Sequence, residues 1–183
     1  MYRLYNNLFV LLLITIPLCY NSQRNPKNKS NISKADIEKT LLVHNNARKD
    51  LNIDTLKWSI KLANQAQLYA NNLARRNGGL VHSSSNSQGE NLYMVYSFGN
   101  QKDVEIPDFP GYDASQAWYD EIKFYRYSKI KRYRIGPAVG HYTQMIWEST
   151  KEVGIGWAVS RSGKVYVVAR YFPAGNVIRE YPY

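Results

Sequence analysis

Between Ser33 and Tyr125 the apolar positions recur at three- and four-residue intervals in separate blocks, and each block predicts a helix. The first carries Ile37, Leu41 and Leu42 and runs to about Arg48. Ser33 stands three residues before Asp36, in the spacing of a capping box whose serine hydroxyl satisfies orphan first-turn amides. Asp54 and Thr55 break the pattern. Leu56, Trp58 and Ser59 announce a second helix with Leu62, Ala66, Tyr69 and Leu73 on one face, ended by Gly78-Gly79. A third helix follows Asp113, read as its N-cap with Gln116 three residues on, and carries Ala117, Trp118, Glu121, Ile122 and Tyr125.

After residue 150 the period changes to two. Val153, Ile155, Trp157 and Val159 alternate with Gly154, Gly156, Ala158 and Ser160, which predicts a strand with one bulky and one nearly bare face. Arg161-Ser162-Gly163 turns the chain into a return strand over 164–172. The bare face would let a helix or a loop approach closely.

Residues 80–112 show neither period and read as a loop-rich middle, with Ser83-Ser84-Ser85-Asn86-Ser87 at the surface. Tyr93, Met94, Tyr96, Phe98, Phe109 and Tyr112 give this stretch aromatic, apolar character, which serves either partial core burial or ligand contact.

The amino terminus follows a different rule. Arg3 and the unbroken apolar run Leu8 to Ile16, broken by Pro17, read as a secretory leader over residues 1–20, too short to span a bilayer comfortably. An uncleaved signal anchor is the alternative. Residues 21–32 form a polar linker with two glycosylation sequons, beginning at Asn28 and Asn31. Cys19 is the only cysteine and lies in the leader, so the mature chain has no disulfide framework to lean on.

At 183 residues the chain fits one domain with a sizeable core, and its 44% hydrophobic content argues against wholesale disorder. The net charge of +10 favours acidic partners, yet zinc-finger spacing, an RNP signature and a recognition-helix pattern are all missing, which argues against nucleic acid. The charge concentrates in residues 123–134, where Lys123, Arg126, Lys129, Lys131, Arg132 and Arg134 interleave with Tyr125, Tyr127 and Tyr133. That run is either a solvated loop or a docking surface for an anionic membrane or a sulfated glycan.

The candidate chemistry lies in Gly140-His141-Tyr142-Thr143-Gln144-Met145-Ile146-Trp147-Glu148-Ser149-Thr150, which packs an imidazole, hydroxyls, an amide and an apolar anchor together. Two clusters upstream match it in kind: His82 with Glu90, and Glu121 beside Trp118. His82, Glu90, Glu121 and His141 thus form a His/Glu/Glu/His set. Neutral His82 and His141 would ligate a divalent metal such as zinc, with Glu90 and Glu121 as ligands or as orienting groups behind them. A polar network that merely braces loops is the alternative. A hydrolase would need a metal-bound water with a glutamate base, but neither HExxH spacing nor a nucleophile elbow occurs, so an enzyme is not expected.

These residues carry a resemblance. The eleven residues 140–150 resemble the first signature of the CAP superfamily (cysteine-rich secretory proteins, antigen 5 and class-one pathogenesis-related proteins; the SCP domain). Tyr171-Phe172-Pro173-Ala174-Gly175-Asn176 resembles its second signature, in the form of the Golgi-associated plant pathogenesis-related type. His44-Asn45 with Arg48, Leu56-Lys57-Trp58, Gly89-Glu90-Asn91 and Trp118-Tyr119-Asp120-Glu121 support the match. The resemblance covers residues 33–178 and leaves 179–183 as a short tail. It implies an α+β fold, a three-layer α-β-α sandwich around a small antiparallel sheet, with a cleft where His82, Glu90, Glu121 and His141 converge. It also implies a secreted, non-enzymatic protein that binds a sterol, a fatty acid or another small apolar ligand and acts as an extracellular effector or immune modulator. The chain departs from the disulfide-rich secreted members in having no mature cysteine, and from the Golgi-associated type in having a leader. Signal-anchored or endomembrane residence is therefore the alternative to secretion.

Overall fold

The computed structural model describes residues 30–84, 87–96, 106–133 and 135–183. The leader, most of the linker, Phe98 and Arg134 lie outside them.

Helix α1 spans Lys34–Lys49, and the Ser33 hydroxyl accepts the Asp36 amide at 3.1 Å, as the spacing predicts. Asp36 itself is buried and does something the sequence does not announce. Its carboxylate accepts the amides of Gly111 at 2.9 Å and Tyr112 at 2.8 Å, at the start of α3 (Pro110–Tyr119). One helix therefore caps another. Burial raises the Asp36 carboxyl above its ordinary range, against the pull of those hydrogen bonds.

The third helix begins at Pro110, not at Asp113, which sits in its first turn and donates its amide to Phe109 O at 3.0 Å. Proline at the first helical position has no amide to satisfy, so Pro110 starts the helix rather than ending a turn. Glu121 falls beyond this helix, in a 3-10 turn over Asp120–Phe124.

Asn45 brackets Leu56 with both ends of its side-chain amide, at 2.7 and 3.1 Å, and so sets the entry to strand β1 (Lys57–Trp58). Helix α2 spans Ile60–Arg76 and ends on Asn77, whose φ of 54° is left-handed. Asparagine tolerates that conformation, so the glycines at 78 and 79 only follow the cap.

Strands β3 (Glu152–Val159) and β4 (Lys164–Phe172) form the expected hairpin around Gly163, at φ 80°. Two further strands complete a sheet of order β1-β3-β4-β2. Short β1 pairs with β3 in parallel, so the sheet is antiparallel except at that edge.

Strand β2 (Gly89–Tyr96) corrects the reading of residues 80–112 as loop. Both its faces are covered, so apolar residues occupy successive positions and the polar alternation that reveals a strand is lost. Tyr93 and Val95 pack on one side of the sheet and Met94 on the other, so this stretch presents no continuous aromatic surface. Phe109 and Tyr112 lie beneath the Lys39 ammonium, at 4.7 and 5.5 Å.

The result is a three-layer α-β-α sandwich. Helix α2 covers one face through Ala66, Ala70 and Leu73 against Leu92, Tyr166 and Val168. On the other face Val153, Ile155, Val165, Val167 and Tyr171 meet Trp118 of α3 and Met145 of α4 (Gly140–Met145). The bare face of β3 has its expected use. A Cβ on Gly154 would run into the α2 backbone at Ala63 N, and one on Gly156 into Gln67.

The folded unit extends past both ends of the 33–178 span. Ser30 donates its hydroxyl to Ile155 O at 2.7 Å, and Ile32 is buried in the core. Residues 179–183 are docked rather than a tail. Ile130 N reaches Glu180 O at 2.8 Å, Arg179 N reaches Ile130 O at 2.9 Å, and Glu148 N reaches Pro182 O at 2.7 Å.

Candidate functional site

The site is built around the first residues of β2. The two-residue period of a strand sends Glu90 to the α2 side and Asn91 to the opposite side. Gly89 precedes them because the Gln144 carboxamide occupies the place where a Cβ would stand.

On the α2 side, Glu90 Oε1 accepts His82 Nδ1 at 2.7 Å and the Ser83 amide at 3.0 Å. Its second oxygen lies 3.0 Å from Arg170 Nη2, and both side chains are almost wholly buried. Arg170 stands opposite Glu90 in the β2–β4 ladder and lies over the Tyr69 ring at 5.3 Å. Burial pushes the Glu90 carboxyl upward. Hydrogen bonds from His82 and Ser83 and the Arg170 guanidinium outweigh it and hold the group below its ordinary value. Glu90 is thus an anion at neutral pH and accepts the hydrogen bond of His82 Nδ1–H, which leaves Nε2 as the ring nitrogen that the carboxylate does not engage.

On the other side, Glu121 Oε1 accepts His141 Nδ1 at 2.6 Å. Its Oε2 accepts the amides of His141 and Tyr142, at 2.9 and 3.1 Å, in the first turn of α4. The His141 ring stacks on Trp118, with centroids 6.1 Å apart and planes 24° apart. Trp118 is fixed in turn by its indole N–H, which donates to Leu92 O at 3.2 Å. The carboxylate beside a packed tryptophan therefore grips both the ring and the backbone of His141.

Asn91 joins the two halves to the core. Its amide donates to His141 O at 3.1 Å and to the Tyr171 hydroxyl at 3.2 Å. Tyr171 donates to His44 Nε2 at 2.8 Å, and His44 Nδ1 donates to Thr40 O at 2.9 Å. His44 is fully buried, and that burial pulls its imidazole down to about 4, so it stays neutral. The third histidine is a core residue and takes no part in the cleft.

His82, Glu90, Asn91, His141, Gln144 and Asn176 wall one cleft of about 460 Å³. Glu121 stands behind His141. The His82 side chain is the more open, 64% exposed against 31% for His141.

The loops that frame the cleft are tied to one another. Gln144 Oε1 accepts Gly175 N at 2.9 Å, and its amide donates to the Thr150 hydroxyl at 3.2 Å. Thr150 donates onward to Pro173 O at 2.9 Å. Asn176 accepts from the Thr143 hydroxyl at 2.6 Å and donates to Gly140 O at 2.8 Å. Beneath them Arg48, fully buried, donates to the carbonyls of Asp54, Met145, Trp147, Glu148 and Thr150 at 2.5–3.3 Å. Burial lowers its guanidinium to about 10, still charged at neutral pH.

A second depression of about 710 Å³ lies beside the cleft and shares Ala138, Gly140 and Asn176 with it. Tyr125, Ile130 and Val139 are among its walls. Among the described residues, no three His, Cys, Asp or Glu side chains converge in an arrangement that would cage a metal ion. The partner of Glu90 that sequence reasoning passed over is Arg170. The signal was present, as a single charge inside the otherwise apolar run Val167-Val168-Ala169-Arg170-Tyr171.

Residues 41–171 match the model of the cysteine-rich secretory protein family, CAP. The chain is 34% identical over 148 residues to Golgi-associated plant pathogenesis-related protein 1 of Homo sapiens, a match that covers 81% of this chain and 89% of that protein. It is 35% identical over 143 residues to pathogenesis-related leaf protein 4 of Solanum lycopersicum, over 78% of this chain and 80% of that one. The solved structure of BmVAL-1 superposes with a TM-score of 0.71 at 25% identity, over 85% of this chain and 84% of that chain.

Proposed function

The chain belongs to the CAP family of cysteine-rich secretory proteins, and from that premise we propose that it is a non-enzymatic binding protein whose cleft takes a small ligand through His82 and His141. One observation carries this reading: each imidazole has its Nδ1 held by its own carboxylate, at 2.7 and 2.6 Å. No hydrogen bond among the described residues engages either Nε2. A carboxylate behind an imidazole is the usual support for a metal-ligating histidine, because it fixes the ring and makes the far nitrogen more basic.

Zinc fits this donor chemistry as a two-imidazole site. His82 and His141 would hold it, Glu90 and Glu121 would orient them, and water or a ligand group would fill the remaining positions. The ion, when bound, supplies a Lewis-acidic anchor for an anionic or carbonyl group of the ligand. Against hydrolysis stands Ser83, the hydroxyl nearest His82 in sequence. It lies beside the Glu90 carboxylate without a well-aligned hydrogen bond and makes none to either imidazole. A nucleophile would need such a bond for activation.

The adjoining groove favours a second ligand class. A fatty acid or a sterol suits its 710 Å³, which is within the range of small-molecule sites, and its walls, where Tyr125, Ile130 and Val139 stand beside Arg126, Lys129 and Lys131. Kinship with a pathogenesis-related leaf protein and a Golgi-associated protein supports an extracellular or endomembrane location, and an effector or immune-modulating role there.

Calorimetric titration with zinc tests the cleft. The parent should show about one site, weakened on acidification because protonated imidazole cannot ligate. If the double variant His82→Ala, His141→Ala binds zinc like the parent, the assignment is wrong. Mass spectrometry of natively purified protein should reveal a retained lipid. Turnover of ester or peptide substrates that disappears in His82→Ala would overturn the non-enzymatic reading.

A further inference from the structure

The basic run acquires a shape in the structure. Residues 125–133 leave the 3-10 turn without regular secondary structure, pinned to the docked chain end by the paired backbone bonds between Ile130 and residues 179–180. That pinning leaves Arg126, Lys129, Lys131 and Arg132 exposed, and Arg179 joins them from the chain end. None of the five forms a salt bridge among the described residues, whereas Lys123 pairs with Asp120 at 3.3 Å. Glu180 is the one acidic side chain in the docked end.

Large apolar groups protrude among these cations. Ile135 is 102% exposed and Tyr133 84%, the two highest values of any exposed large hydrophobic residue described. Tyr127, Ile178 and Tyr181 lie exposed on the same depression as Lys129, Lys131, Arg132 and Arg179. An isoleucine this exposed gains little from folding and shows its apolar surface to water.

We propose that this face docks on an anionic lipid bilayer, with Tyr133 and Ile135 entering the headgroup region and Arg126, Lys129, Lys131, Arg132 and Arg179 meeting the lipid phosphates and carboxylates. The combination decides the partner. Unpaired cations fit any polyanion, but only a bilayer offers an apolar layer a few ångströms beneath its anionic surface, and tyrosine suits that boundary. A sulfated glycan would meet the same charges and have no place for Ile135. The surface lies outside the His82–Glu90 pair, so it stands or falls apart from the metal reading. Arg126, Lys129, Lys131, Tyr133 and Ile135 also line the adjoining groove, so mass spectrometry for a retained lipid is run on the same variants to separate groove filling from vesicle docking.

The test is sedimentation of the full chain with vesicles of phosphatidylcholine containing about 30% phosphatidylserine, beside pure phosphatidylcholine vesicles and immobilised heparin. Any binding through the apolar leader is common to both vesicle types and to all variants, so the difference isolates the face. Each cation near an anionic surface strengthens binding about fivefold, so Lys129→Ser with Lys131→Ser and Arg132→Ser should weaken phosphatidylserine binding about 100-fold. Salt should weaken the parent steeply between roughly 0.05 and 0.5 M. Tyr133→Ser with Ile135→Ser should weaken vesicle binding about tenfold or more and leave heparin retention unchanged. All five positions are exposed, and unchanged thermal unfolding confirms that each variant is folded. Parent-like vesicle binding by the serine triple variant overturns the proposal. So does a Tyr133, Ile135 variant that binds vesicles like the parent, because the face is then a polyanion site of the kind a glycan would use.

Discussion

Arg48→Met is a severe single change that the structure predicts outside the cleft. Methionine keeps much of the apolar stem and removes the guanidinium, whose Nε, Nη1 and Nη2 reach five carbonyls. Trp147 O keeps a second donor, the Thr150 amide at 3.0 Å, and Glu148 O is only partly buried. Asp54 O is likewise only partly buried, so the buried carbonyls of Met145 and Thr150 are the ones that lose the donor serving them. At about 1–3 kcal/mol for each buried acceptor left unpaired, the loss is about 4 kcal/mol before the desolvation of the guanidinium is credited back. With that credit the net cost is about 3 kcal/mol, at the lower end of the range measured for breaking buried charged networks. For a chain of this length that is a fall in melting temperature of about 10 °C. Arg48→Lys should fall between, because an ammonium has three donors and no fork to span five acceptors. Lys49→Met, at the exposed neighbour, should change stability by less than about 0.5 kcal/mol. Thermal and urea unfolding of the three variants measure this. An Arg48→Met protein that melts within about 3 °C of the parent would show that the 145–150 segment holds its course without the guanidinium, and the reasoning would fail.

His44 makes stability depend on pH, with a sign that follows from its lowered value. The folded form holds it near 4 and the unfolded chain near 6.5, so the unfolded state takes up the proton first. The contribution is whole above 6.5 and is lost as pH falls towards 4, by up to about 3 kcal/mol. Urea midpoints at several pH values should show this slope in the parent and not in His44→Gln; equal slopes refute it. Asp36→Ala removes the external cap of α3 and should cost about 2 kcal/mol in urea unfolding, whereas a loss below about 0.5 would mean that the Gly111 and Tyr112 amides find other acceptors. Gly154→Ala sets a methyl against backbone atoms of α2, which cannot rotate away, and should cost about 3 kcal/mol or more or prevent soluble expression; a parent-like melting temperature refutes the close approach.

The elements that could be read from the sequence were those whose burial is one-sided. Helix α2 buries a face and shows it at helical spacing, and β3 sets bulky residues against bare ones. Strand β2, covered on both sides, and two-residue β1 leave no such trace. The four residues of the His/Glu set were legible because imidazoles are rare in this chain and fall beside motif residues. Arg170 and Asp36 were not understood, because their partners lie 80 and 75 residues away in the chain and only the fold brings them together. Gln144 could be named as a candidate, but its bonds to Gly175 and Thr150 are set by how the two signatures pack.

That packing governs the kinetics of ligand capture. With Gln144 and Asn176 joining α4 to the turn after β4, and Asn91 joining β2 to α4 and to Tyr171 of β4, these cleft walls are fastened to one another. A ligand then meets a site already in its bound shape, and encounter needs no prior opening step. The observed rate of approach to equilibrium should rise in proportion to ligand concentration without a plateau. Differences in affinity among ligands should appear in how slowly each one leaves.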